Sequence, residues 1–226
     1  MSVATLILGE SGTGKTASIR SLHPLQSLLI QPVRKALSFK ADGWSEWGSK
    51  NPNGNIHFTD DADRIVTLIS KTTRPIIIVD DFQYTMSNEF MRRVLDKETG
   101  NQSFAKYNEI ARHAWDVLNA ANNAEPWKRV YILSHTQIDD NGRIKIKTIG
   151  KLLDEKITIE GMVTTVLRTA VVNKNYVFVT QNNGMDTTKS PMGMFDTEHI
   201  PNDLAEVDQA ICTYYNITQP AKEPAQ

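Results

Sequence analysis

The chain is predicted to fold as an α/β unit, with a mostly parallel central sheet flanked by helices. Three stretches predict it. Val3-Ala4-Thr5-Leu6-Ile7-Leu8 runs straight into Gly9-Glu10-Ser11-Gly12-Thr13-Gly14-Lys15-Thr16, which fills every fixed position of G-x-x-x-x-G-K-[S/T]. Pro75-Ile76-Ile77-Ile78-Val79 ends in the paired acids Asp80-Asp81, and Arg129-Val130-Tyr131-Ile132-Leu133 ends in Ser134-His135-Thr136. Unbroken aliphatic runs, unlike alternating ones, mark strands covered on both faces, as in parallel sheets.

The residue types of the first stretch are those a phosphate cradle requires. Gly9, Gly12 and Gly14 let the backbone curl closely, because no Cβ blocks positive φ. The N–H groups of the loop (Ser11 and Thr13 included) and of the helix predicted over Thr16 to Leu22 then face an anion. Lys15 is expected to reach β- and γ-phosphates, and the Thr16 hydroxyl to ligate Mg²⁺. In a parallel sheet the C-terminal strand ends line the ligand crevice, which places Asp80 beside Thr16 as a second Mg²⁺ ligand. Asp81 is a candidate to orient or deprotonate the attacking water; the alternative is that the two acids cap the next helix. Ser134 and His135 reach the same edge, where His135 is either a γ-phosphate sensor or a structural histidine.

Composition narrows the class. With 226 residues, 40% hydrophobic and 23% charged, the chain suits one globular unit over 1–216 with a polar tail over 217–226, expected to be disordered. A net charge of −1 confines any basic surface to a local patch. The single cysteine, Cys212, excludes an internal disulfide and a cysteine metal cluster. Neither a membrane span nor a signal peptide is expected, and the expected compartment is the cytoplasm.

The remaining elements follow in order. Ser27 to Gln31 is a buried strand stopped by Pro32. The Gly- and Asn-rich stretch from Lys40 to Asn55 is a loop whose Trp44 and Trp47 either anchor it or stack on bases. Asn55 to Thr59 is a short strand, and Asp60-Asp61-Ala62-Asp63 opens a helix carrying Ile65, Leu68 and Ile69. Met86 to Leu95 is read as helix, Asp96 to Gln102 as a polar loop, and Phe104 to Ala121 as a long amphipathic helix. Thr169 to Thr180 reads as a strand pair, and Pro201 to Tyr215 as a last helix.

Between them, Asp139-Asp140-Asn141-Gly142 signals a tight turn, followed by the alternation Arg143-Ile144-Lys145-Ile146-Lys147 of a two-stranded ribbon. From Arg143 to Lys156, with Lys151 between them, there are five cations against two acids. Such a strip suits a phosphate backbone, the nucleotide of a neighbouring subunit, or simply solvent.

These motifs in this order resemble RecA-type P-loop ATPases, and more narrowly the short phage-encoded RecA-like ATPases of single-strand annealing or recombination. The resemblance rests on Gly9 to Thr16, Val79-Asp80-Asp81-Phe82-Gln83-Tyr84, and Ser134-His135-Thr136 followed by Gly150-Lys151-Leu152-Leu153-Asp154. It covers about residues 1 to 180 and implies a RecA-like sheet with a C-terminal β-hairpin. ATP and Mg²⁺ are the implied cofactors, and an ATP hydrolase dependent on single-stranded DNA the implied activity. Implied partners are single-stranded DNA, further copies of the chain in a ring or filament, and a single-strand-binding protein, in the cytoplasm of an infected bacterium. DNA contacts would map to Thr85 to Gln102 and Gln137 to Lys151, including Arg143, Lys145, Lys147 and Lys151. The family's glutamate at the end of the second strand is replaced by Gln31 and Pro32, which adds Glu10 to Asp81 as a water-activating candidate. The other readings are an ATP-dependent loader or switch in replication, and a small-molecule or nucleotide kinase.

Overall fold

The computed structural model describes residues 2–94, 102–150 and 152–218. Its centre is an eight-stranded sheet, and its strands come in chain order as β1 (Val3–Leu8), β2 (Ser27–Gln31), β3 (Ile56–Phe58), β4 (Ile76–Val79) and β5 (Arg129–Ser134), then β8 (Thr165–Val172), β9 (Asn175–Val179) and β10 (His199–Pro201). A separate two-stranded ribbon pairs β6 (Thr136–Ile138) with β7 (Ile144–Ile146), antiparallel. Across the main sheet the order is β10-β9-β8-β1-β5-β4-β2-β3. From β3 to β8 all pairings are parallel; β8–β9 and β9–β10 are antiparallel. β5 therefore lies between the glycine-loop strand and the strand that ends at Asp80.

The alternation of side chains along each strand divides the core in two. Leu6, Leu8, Ile30, Ile77, Val79 and Ile132 face one layer, built with α1 (Ala62–Lys71), α2 (Gln83–Arg92) and α3 (Gln102–Asn123). Ile7, Leu29, Ile78, Tyr131 and Leu133 face the other, closed by Ile19 and by Leu204, Val207 and Ile211 of α4 (Leu204–Tyr214). Burial on both faces is why the strands read as continuous apolar runs.

Local signals set the helix ends. The Asp61 side chain accepts a hydrogen bond from Arg64 N at 2.9 Å and caps α1; Asp203 does the same for α4 through Ala205 N. Three elements differ from the sequence reading, the first being α2, which begins at Gln83 rather than Met86. The segment after the glycine loop is a 3₁₀ turn over Thr16–Ser21, not an α-helix: His23-Pro24 stops it after two turns, since the residue before a proline disfavours helical geometry. Residues 199–201 pair with β9 as β10 before α4 begins, so the predicted helix loses its first turn. Asn173 and Lys174, both with positive φ, turn β8 into β9.

Trp44 anchors its loop, 8% exposed and edge-on to Phe39; Trp47 is 43% exposed and stacks on His57 at 4.9 Å. β6 begins one residue after His135, whose carbonyl accepts Lys147 N at 2.8 Å. Among the described residues no helix is long and apolar enough to cross a membrane. The 96–101 part of the predicted polar loop and the tail from 219 lie outside the described residues.

Candidate functional site

β1, β4 and β5 deliver the glycine loop, Asp80-Asp81 and Ser134-His135 to one edge of the sheet, because all three strands run parallel. Gly12 and Gly14 have φ of +80° and +98°, so the loop takes the course the glycines permit. Gly9 is needed for space. A Cβ there would sit 1.9 Å from Thr169 Oγ1 and 3.2 Å from Thr169 Cβ on β8. Thr169 Oγ1 in turn meets Thr13 Oγ1 at 2.6 Å. Because the clash is with a short, branched side chain, Gly9→Ala should destabilise the fold by about 1–3 kcal/mol. Urea unfolding checks this, and Gly9→Ala with Thr169→Ala should recover only part of the loss, because Thr13 Oγ1 still lies 2.7 Å from the added Cβ.

Lys15 is only 6% exposed. Its ammonium donates to the carbonyls of Gly9 and Glu10, each at 2.8 Å. Burial pushes its pKa down to about 8, against the upward pull of Asp81 and Asp80. The folded value lies below the ordinary 10.5, so charged Lys15 weakens the fold below pH 8, a penalty released between pH 8 and 10.5. Binding follows the opposite sense. The cation that would hold phosphate is complete below pH 8 and lost above it, so tripolyphosphate affinity measured by calorimetry should fall as pH rises past about 8. A flat profile from pH 7 to 9.5 would contradict this.

Beyond the lysine, the Thr16 hydroxyl donates to Asp80, with Oδ1 at 3.1 Å and Oδ2 at 3.0 Å. Gln31 Nε2 donates to Asp80 Oδ2 at 3.3 Å, from the end of β2. Asp80 is 1% exposed; burial first, and the neighbouring Asp81 charge second, raise its pKa.

Asp81 sits in the left-handed region, φ 59°, strained for a residue with a side chain. Its carboxylate pairs with Lys35, and His135 Nε2 lies 3.5 Å from Oδ1. Burial alone would raise its pKa, but His135 and Lys35 hold it at about 2. A carboxylate held that low is a poor proton acceptor and a good fixed acceptor for orienting water. Lys35 Nζ is also 3.8 Å from Asp80 Oδ2. Gln83 Oε1 accepts from Ser134 Oγ at 3.2 Å and from His135 N at 3.1 Å, fixing the strand end.

The structure thus brings together Gly9, Gly12, Thr13, Gly14, Lys15, Thr16, Asp80, Asp81 and His135. Glu10 and Ser11 lie exposed at the rim, and it is the Glu10 carbonyl, not its carboxylate, that accepts from Lys15 and Thr13. The basic strip is apart from this cluster on the ribbon: Arg143 and Lys147 are exposed, and Lys145 is half-buried. Arg143 Nη2 donates to the Asp186 carbonyl at 3.4 Å. Lys151 lies outside the described residues.

These residues fit a polyphosphate with a hard divalent cation. A buried ammonium, a threonine hydroxyl and a buried carboxylate stand together, all with oxygen or nitrogen atoms of the kind phosphate and Mg²⁺ take. Gln31 Oε1 and Gln83 Nε2 are buried beside them without hydrogen-bond partners. Among the described residues no group of three or more His, Cys, Asp or Glu could hold a metal by itself. Mg²⁺ bound through one or two protein oxygens plus phosphate oxygens needs no such group. No protein-family model matches the chain, and a search of curated proteins finds no relative.

Proposed function

We propose that the chain is a Mg²⁺-dependent ATPase of the RecA-like P-loop type that binds single-stranded DNA and acts in annealing or recombination. The observation that carries the nucleotide part is the joint position of Lys15, Thr16 and Asp80, with Thr16 bonded to the carboxylate that ends β4. In this reading Lys15 would exchange its loop carbonyls for the β- and γ-phosphates, and Thr16 and Asp80 would hold Mg²⁺. Bound there, Mg²⁺ would neutralise charge on the β- and γ-oxygens. Asp81, kept ionised by Lys35 and His135, orients the attacking water. In this reading His135, one residue before the ribbon, responds to the terminal phosphate.

The DNA part rests on the ribbon's cations and on its direct attachment to His135. The test is steady-state ATP hydrolysis with Mg²⁺, alone and with single- or double-stranded DNA. Single strands should raise turnover several-fold, and Lys145→Ala with Lys147→Ala should weaken salt-sensitive DNA binding by about tenfold. Turnover indifferent to DNA overturns the DNA part and leaves the ATPase.

One observation favours a second reading. An acid held at about 2 is a weak base, and slow intrinsic turnover suits a switch or loader that acts through its ATP-bound form. Tight ATP binding with negligible turnover under every DNA condition selects that reading.

A further inference from the structure

The glycine loop has a second flank, away from Asp80, that the phosphate chemistry does not use. Thr16 and Asp80 fix the metal end of the site towards β5 and β4, on one side of β1. With the metal end held there, a triphosphate laid along the loop would have its other end towards β8 and β9, which lie on the opposite side of β1. There β8 passes the loop at Thr169 and continues two residues further to Val171, which lies opposite Tyr176 across the antiparallel pair. Val171 and Tyr176 are 50% and 54% exposed, an apolar step at the rim of an otherwise polar site.

Tyr176 and Asn202 both press on Gly14. A Cβ at Gly14 would lie 3.1 Å from Tyr176 Cδ1 and 3.0 Å from Asn202 Oδ1. The Asn202 main chain is held twice: its N–H donates to the Tyr176 carbonyl at 3.3 Å, and its carbonyl accepts from Arg20 Nη1 at 2.6 Å. Its side chain is not. Asn202 is 4% exposed and its Nδ2 has no hydrogen-bond partner. A buried amide left unpaired costs about 1–3 kcal/mol, a cost that a ligand reaching it would offset.

We infer that Tyr176, Val171 and Asn202 form a nucleobase subsite, in which the base stacks on the Tyr176 ring and pairs with the Asn202 amide. Stacking needs an exposed ring beside the phosphates, and Tyr176 supplies it. The amide sets the preference. It offers one donor and one acceptor, which match the N6–H and N7 of adenine, whereas guanine presents two acceptors on that edge. The site therefore selects an adenine nucleotide over a guanine nucleotide and over bare polyphosphate. The inference rests on the nucleotide reading above.

The test measures binding of ATP, GTP and inorganic tripolyphosphate by calorimetry, at fixed Mg²⁺. The wild-type chain should bind ATP at least about tenfold more tightly than tripolyphosphate. Tyr176→Ala should erase that advantage while tripolyphosphate affinity stays, and Tyr176→Phe should retain it. Asn202→Ala should bring ATP and GTP within about twofold of each other, from a preference of about tenfold. An ATP advantage that survives Tyr176→Ala overturns the subsite and leaves the phosphate site intact. Equal binding of ATP and GTP by the wild-type chain overturns the role of Asn202. A wild-type chain that binds none of the three overturns the nucleotide reading and the subsite with it.

Discussion

Lys15→Ala should lower ATP turnover by at least about 10²-fold while leaving the melting temperature unchanged or raised. The two halves of this result have one cause. Lys15 is nearly enclosed, its ammonium bonded to the Gly9 and Glu10 carbonyls, and burial pushes its pKa down to about 8. A cation in that state opposes folding, so truncation relieves a penalty. For the same reason it is primed to take phosphate oxygens, which complete its charge pairing, and truncation removes that interaction where transition-state charge accumulates. Thermal scanning and steady-state hydrolysis on the same preparation check both. A variant that loses activity only because it melts far below the parent would show Lys15 to be a structural residue. A variant that turns over at the parental rate would show that the loop does not handle phosphate.

Asp208→Ala should destabilise the fold by about 3–5 kcal/mol, the largest stability effect expected from one substitution here. Arg129 and Asp208 meet in a two-point pair, Nε to Oδ1 at 2.9 Å and Nη2 to Oδ2 at 2.7 Å, and the Tyr131 hydroxyl donates to Oδ1 at 2.6 Å. Arg129 is 2% exposed and Tyr131 fully buried, so the truncation strands a guanidinium and a phenol in the layer between the sheet and α4. Urea unfolding gives the value. Replacing the pair together, as Arg129→Met with Asp208→Leu, should cost far less, because no charge is then left alone. A loss below about 1 kcal/mol for Asp208→Ala would mean that water reaches Arg129.

What the sequence made legible was whatever is written locally. The aliphatic runs of β1, β2, β4 and β5 announce parallel strands covered on both faces. The glycines and Lys15-Thr16 announce the loop because each position is demanded by one turn of backbone. The strand-end argument places Asp80, Asp81 and His135 at one edge. Lys35 is different: it stands in an irregular stretch after Pro32, and only the crossover geometry carries its ammonium to Asp81. No spacing could have found it. Gln31 and Gln83 carried a usable signal, since each follows or ends a strand bound for the same edge, yet amides lack the chemical signature that makes acids stand out. Thr169, Tyr176 and Asn202 reach the loop from over 150 residues away in the chain. The 3₁₀ turn after Thr16 shows a limit of another kind, because a pattern of apolar residues does not reveal how early a proline will end a helix.

The junction at His135 has a mechanical consequence. Its N–H is fastened to Gln83 at the root of α2, and its carbonyl to Lys147 just past the far strand of the ribbon. The two peptide groups that flank His135 are thus each fastened, one to the sheet edge and one to the ribbon. A small rotation at His135 is carried into the ribbon, whose turn at Asp139 to Gly142 moves furthest, as the tip of a lever moves further than its fulcrum.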